Sequence, residues 1–252
     1  MDKEKILTPM NHREIDYTAQ KLSGCDIPDA FACAEILKWL DETGSSVFDD
    51  DLIMDYGTDC LRLYLMFEAT PKANDAPFYE SWQESALEGI YKFLARSRRL
   101  VLTAAYWNEQ GGYCGKGGEN SAEIQSMRTA IDETRCKIEK YISRGNELPN
   151  RHNIVSALME LQKTLQNKLK INEITSSLHK HAVEAAVPHS RETQNTCEMP
   201  QAGVNISQNT GNACNPNISA NSDVSGICQK YIMLMAQFAP NISKVLWNEI
   251  KT

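Results

Sequence analysis

The residues able to do chemistry are sparse along this chain, and their spacing restricts what they can do. The histidines are His12, His152, His179, His181 and His189, and only His179-x-His181 forms a close pair. A metal there would need a third ligand. Glu184 and His189 are the nearest and do not stand at the spacing of an established site, so no metal is expected. Cys25, Cys33, Cys60, Cys114, Cys136, Cys197, Cys214 and Cys228 are scattered without a Cys-x-x-Cys pair. That pattern predicts reduced thiols, several of them core fillers, rather than a zinc knuckle or redox dithiol. Gly111, Gly112, Gly115, Gly117 and Gly118 follow no strand and fit no nucleotide-binding fingerprint, so they read as a linker and no cofactor is expected.

Phosphate recognition by Lys and Arg is the chemistry that remains. Lys92, Arg96 and Arg99 fall at i, i+4 and i+7 with Arg98 beside them, so one helix face could meet successive phosphates. A second group, Arg128, Arg135 and Lys137, is diluted by Asp132, Glu133 and Glu139. A third runs through Lys163, Lys168, Lys170, His179, Lys180 and His181. The formal net charge of −7 excludes a broad electrostatic grip on nucleic acid, leaving only a local basic face.

The elements that must carry these groups are helical. Among 252 residues, 42% are hydrophobic and 23% charged, which supports a packed core and excludes global disorder. Region 1–47 is a leader with a helix predicted over 28–40, where Phe31, Ala34, Ile36, Leu37 and Leu40 fall near helical spacing. Region 48–112 is a helical linker. Asp49, Asp50 and Asp51 suit a helix N-terminus, Gly57 interrupts, and Asp59 can cap the next helix. Arg62, between Leu61 and Leu63, is expected to pair with Asp59 or another carboxylate in the core. After a turn over 71–77, a long amphipathic helix is predicted over 81–106, burying Leu87, Ile90, Tyr91, Leu94, Leu100 and Val101.

Region 113–252 adds helices over 121–143, 150–187 and 227–239, then a short one after Pro240 ending near Ile250. Ile154, Val155, Leu158, Leu161, Leu165 and Leu169 repeat as a bundle helix requires. Residues 188–225, rich in Asn, Ser, Thr and Gly, have the composition of a mobile loop. No strand-like alternation occurs, so the fold class is all-α. With no apolar run of membrane length and no signal-peptide core, the expected location is cytoplasmic.

Four stretches, in order, carry a resemblance. They are Tyr56-Gly57-Thr58-Asp59-Cys60-Leu61-Arg62-Leu63-Tyr64-Leu65-Met66-Phe67; Glu88-Gly89-Ile90-Tyr91-Lys92-Phe93-Leu94-x-Arg96; Asn153-Ile154-Val155-Ser156-Ala157-Leu158-Met159-Glu160; and Leu234-Met235-Ala236-Gln237-Phe238-Ala239-Pro240-Asn241-Ile242-Ser243-x-x-Leu246-Trp247. Together they resemble the part of leucyl-tRNA synthetases that follows the mobile Lys-Met-Ser-Lys-Ser loop, over about residues 48–250. The resemblance implies the helical anticodon-binding domain of class I synthetases, with Leu158, Leu161, Phe238 and Leu246 in the core and Trp247 fixing the last helix.

Counting back places the signature loop on Lys38, Trp39, Leu40, Asp41 and Glu42. In the family two lysines there stabilise charge on the ATP phosphates. Lys38 matches the first, but Asp41 stands at the second and would repel phosphate. The His-Ile-Gly-His signature is absent; Asn11-His12-Arg13 does not resemble it. The expected function is that of a free-standing anticodon-binding-like domain that binds tRNA, or a synthetase partner, without aminoacylating on its own. The tRNA contacts would fall on Lys92, Arg96, Arg98, Arg99, Lys163 and Lys168. The alternatives are a transferase moving leucine from charged tRNA to a small molecule or peptide, and a subunit or degenerate fragment of a split synthetase.

Overall fold

The computed structural model describes residues 3–22, 50–68, 84–110, 122–143, 148–186 and 222–251. The helix predicted over 28–40, the signature-loop match at Lys38–Glu42, the turn at 71–77, the glycine-rich stretch and residues 188–221 lie outside them. The described residues form helices and no strand, so the fold is all-α. In chain order the helices are α1 (Lys3–Leu7), α2 (His12–Lys21), α3 (Asp50–Tyr56), α4 (Thr58–Glu68) and α5 (Glu84–Glu109). They continue as α6 (Ala122–Ser143), α7 (Leu148–Lys168), α8 (Ile171–Ala186), α9 (Ser222–Met235) and α10 (Pro240–Lys251).

Helix α5 organises the bundle. It packs on α1, α4, α7, α8, α9 and α10, and its apolar stripe puts Leu87, Ile90, Phe93, Leu94, Leu100 and Val101 out of solvent. Helix α6 packs along α7 and α9, α7 in turn lies on α5, and one hydrophobic cluster runs from Ile6 to Trp247. Leu158, Leu161, Phe238, Leu246 and Trp247 are buried as expected. Cys60 and Cys228 are core fillers, their thiols pushed up by burial, to about 12 for Cys228. Cys136 is exposed.

The single helix expected over 150–187 is two helices. The chain breaks at Lys170, whose φ of 50° is left-handed. The cause lies in the apolar pattern. Leu165 and Leu169 belong to one stripe and Ile171, Ile174 and Leu178 to another, and all are buried. In one straight helix Leu169 and Ile171 would point roughly 200° apart. The break lets both enter the core. Helix α9 likewise ends at Met235, short of 239, because Ala236–Phe238 form a turn before Pro240 opens α10.

The leader contributes α1 and α2, which the sequence reading did not anticipate. Asn11 caps α2, its side chain accepting from the amides of Arg13 (3.1 Å) and Glu14 (3.5 Å). Ile6, Met10, Ile15 and Ala19 face the bundle, with α2 packed on α10 and α3.

Candidate nucleic-acid interface

Two regions hold the polar residues that the sequence singled out, and they differ in kind. The first is the junction of α2, α4 and α10. Gly57 closes α3 with φ of 77° and donates its amide to the Ile53 carbonyl at 2.9 Å. A Cβ at Gly57 would sit 2.8 Å from His12 Cβ. Asp59 does not cap its own helix. Its Oδ2 accepts the Ile242 amide at 2.8 Å, satisfying the first turn of α10, while Arg62 donates to Oδ1 at 3.0 Å. The expected Asp59–Arg62 pair therefore exists, with Asp59 buried and Arg62 half-buried.

Asp16 completes the junction from the leader. Its Oδ2 accepts from both the amide and the hydroxyl of Thr58 at 3.0 Å, and its Oδ1 accepts from Asn241 Nδ2 at 2.8 Å. Burial pushes the Asp59 carboxyl up to about 6, against the pull of Arg62 and the Ile242 amide. Burial also pushes His12 down to about 4, against the nearby Asp16 charge. The His12 ring leans on Tyr91 with centroids 4.6 Å apart. Farther along α4, the Phe67 carbonyl lies 2.9 Å from His152 Nδ1, so that nitrogen must carry the proton.

The second region is the outer face of α5. Glu88, Lys92, Arg96 and Arg99 are exposed in sequence along its first half, before Thr103 passes under α8. Lys92 pairs with Glu88 at 2.8 Å, with both side chains more than half exposed (59% and 57%). Arg96 lies close enough to Tyr231 for its charge to act on the phenol. That phenol is itself fixed: Ser97 Oγ donates to the Phe93 carbonyl at 3.0 Å, which leaves Tyr231 to donate to Ser97 at 2.8 Å.

Arg98 does not share this face. Its guanidinium turns to α1 and donates to the Thr8 carbonyl at 3.2 Å. Burial lowers its pKa against the opposing pull of Glu249 and Glu14. Tyr91 makes the parallel contact, donating its hydroxyl to the Met10 carbonyl at 3.1 Å. Arg98 forms part of a groove of about 380 Å³ between α1, α2, α5 and α10, where Lys5 is bonded to Glu249 at 2.8 Å.

The other basic groups are dispersed. Lys163 is exposed, and Lys168 donates to Ser126 Oγ at 2.7 Å. Arg135 pairs with Glu139 at 3.0 Å, Lys137 and Lys180 are exposed, and so is His179. The His181 side chain lies outside the described set. Among the described residues no three or more His, Cys, Asp or Glu side chains converge as a metal site would require. Asp16, Asn241, His12 and Tyr91 were missed by sequence reasoning. Only the Asn11 cap carried a local signal for that corner.

The fold and these two regions define a helical bundle with a tightly bonded junction and an outward basic stripe. Comparison with known proteins adds that it contains a leucyl-tRNA synthetase-related region. The leucine–tRNA ligase of Nitrosococcus oceani is 28% identical over 144 residues, 57% of this chain and 17% of that enzyme. The leucine–tRNA ligase of Symbiobacterium thermophilum is 24% identical over 210 residues, 82% of this chain and 21% of the enzyme. That of Proteus mirabilis is 29% identical over 136 residues, 52% of this chain and 14% of the enzyme. The chain thus spans about a fifth or less of these relatives' length. No protein-family profile matches it, and no solved structure does. Among the described residues no helix is long and apolar enough to cross a membrane.

Proposed function

We propose that this bundle corresponds to the anticodon-binding domain of leucyl-tRNA synthetases and binds tRNA, alone or alongside a synthetase partner, without activating an amino acid itself. The observation that carries the reading is the outer face of α5, where Lys92, Arg96 and Arg99 are exposed together at i, i+4 and i+7. A cationic row of this kind meets phosphates at successive turns and carries no base information. Lys163 and Lys168 are exposed as well and would add contacts on α7. Arg98 acts in this reading through the fold, since its guanidinium is engaged with Thr8. The absence of amino acid activation rests on Asp41 and Glu42, which bring negative charge where the related loop presents lysine to phosphate.

Fluorescence anisotropy with labelled tRNA tests this. Arg96→Glu combined with Arg99→Glu should weaken binding and lower the slope of log K against log salt by about 2, roughly one per phosphate contact removed. Equal affinity and slope in the double variant would remove α5 from the interface. Pyrophosphate exchange dependent on leucine and ATP in the purified chain would remove the non-activating part of the reading.

A further inference from the structure

We propose that the joint outer face of α2 and α3 is a two-fold interface between copies of this chain. Among the described residues the exposed large hydrophobic side chains are Tyr17 (59%), Ile53 (36%) and Met54 (44%), and all lie on these two adjacent helices. Helix α3 has 7 residues, none of them buried. A helix that short gains little from its own hydrogen bonds and is normally held by packing an apolar face. Leu52 and Tyr56 supply that face, packed against the core, while Ile53 and Met54 are left facing outward.

The charges around this apolar patch are largely sorted by helix, the exposed Glu14 at the edge of α2 being the exception. On α2, Arg13, Tyr17 and Lys21 share one face at four-residue steps, and the Lys21 ammonium lies 4.1 Å from the Tyr17 ring centre. On α3, Asp50, Asp51 and Asp55 are all exposed. The helices are joined where Arg13 Nε donates to the Met54 carbonyl at 3.2 Å, with Asp55 3.9 Å from the same guanidinium. One half of the patch is therefore basic and the other acidic, with apolar side chains in both.

This arrangement complements itself. In a two-fold contact each surface element meets its counterpart's opposite half. A rotation axis between α2 and α3 sets the basic α2 of one copy on the acidic α3 of the other. Tyr17 then covers the other copy's Ile53 and Met54. An unrelated acidic or basic partner would satisfy one half and repel the other. The overall charge of −7 opposes self-association at long range, but salt at physiological strength screens that over about 8 Å. The opposite charges within the patch act at contact.

Sedimentation equilibrium of the full chain over a concentration series tests the proposal without RNA, so its outcome is independent of the tRNA reading. A reversible dimer is expected. Met54→Glu, or Tyr17→Ser should the first variant fold poorly by circular dichroism, should raise the dimer Kd at least about tenfold, since the core of a patch dominates its binding. The decisive arm uses two charge variants. Arg13→Glu with Lys21→Glu makes the patch acidic throughout, and Asp50→Lys, Asp51→Lys and Asp55→Lys together make it predominantly basic. Each alone should be monomeric, because like charges then meet across the axis. Mixed in equal amounts they should form a heterodimer, although the Arg13–Asp55 contact within each chain stays broken. A monomeric parent at all concentrations, a dimer indifferent to these variants, or no association on mixing would each overturn the proposal.

Discussion

Arg62 and Arg96 stand on neighbouring helices and represent two different uses of the same side chain. Arg62 lies in the α2–α4–α10 junction, where Asp59 holds it and Asp59 in turn holds the first turn of α10. Arg96 lies on the α5 face in contact with water. The four-part resemblance to leucyl-tRNA synthetases includes residues like the first: Gly57, Asp59 and Arg62 all serve to lock helices. Likeness there reports a preserved framework. The proposed tRNA contacts rest instead on residues like the second, where no packing constraint dictates the side chain.

The contrast predicts unequal costs, and the largest falls in the junction. Asp59→Ala leaves the half-buried Arg62 without this carboxylate and frees the α10 amide, so urea unfolding should show a loss of about 2–4 kcal/mol. A loss below about 1 kcal/mol would mean that the pair is solvated and the junction is not what holds α10. Next comes Gly57→Ala. The left-handed backbone alone costs about 1–3 kcal/mol, and the new Cβ also displaces His12. The midpoint should fall more for this variant than for Gly89→Ala, where a Cβ meets open space.

A third substitution sharpens the division within α5 itself. Arg98→Ala removes a charged donor from the Thr8 carbonyl and should cost about 1–2 kcal/mol while leaving tRNA affinity in place. Lys92→Ala should do the reverse, altering stability by no more than about 0.5 kcal/mol. Equal effects of both variants on either readout would erase the proposed distinction between the faces.

The smallest net effect concerns acid, because two buried groups oppose one another. His12 is lowered from 6.5 to about 4, so the folded state binds fewer protons there and stability is lost as pH falls through that window. Asp59 is raised from 3.8 to about 6, so its contribution is full at low pH and is lost as pH rises through that window. The parent should therefore vary little between about pH 4 and 6 on account of this pair. Relative to the parent, His12→Phe should gain in thermal stability on acidification, and Asp59→Asn should lose. Difference curves with the same slope would show that the two groups are not both buried as described.

How much of this was readable beforehand follows from the range of each interaction. The stripes of α5 and α7 lie within a few residues and periodicity carried them, while the Asp59–Arg62 pair showed as an arginine between two leucines with a carboxylate close in sequence. The break at Lys170 was present as a phase change from Leu169 to Ile171, but neither Gly nor Pro marked it. Arg98 was grouped with Lys92 by proximity in sequence, although six residues along a helix set it roughly 120° from Lys92. The Asp16–Asn241 bond joins residues 225 apart and leaves no local trace at either end. The apolar patch on α2 and α3 was equally hidden, since Tyr17, Ile53 and Met54 look like core until burial is known.

Lys5 meets Glu249 across a separation of 244 positions, and α2 lies along α10. As the ribosome synthesises this bundle from its N-terminal end, Ile6, Met10 and Ile15 emerge early and must wait for their final cover until nearly all the rest has followed. Docking of α2 on α10 therefore waits for the last helix, and a stalled or truncated nascent chain would leave sticky side chains of α2 open to chaperones.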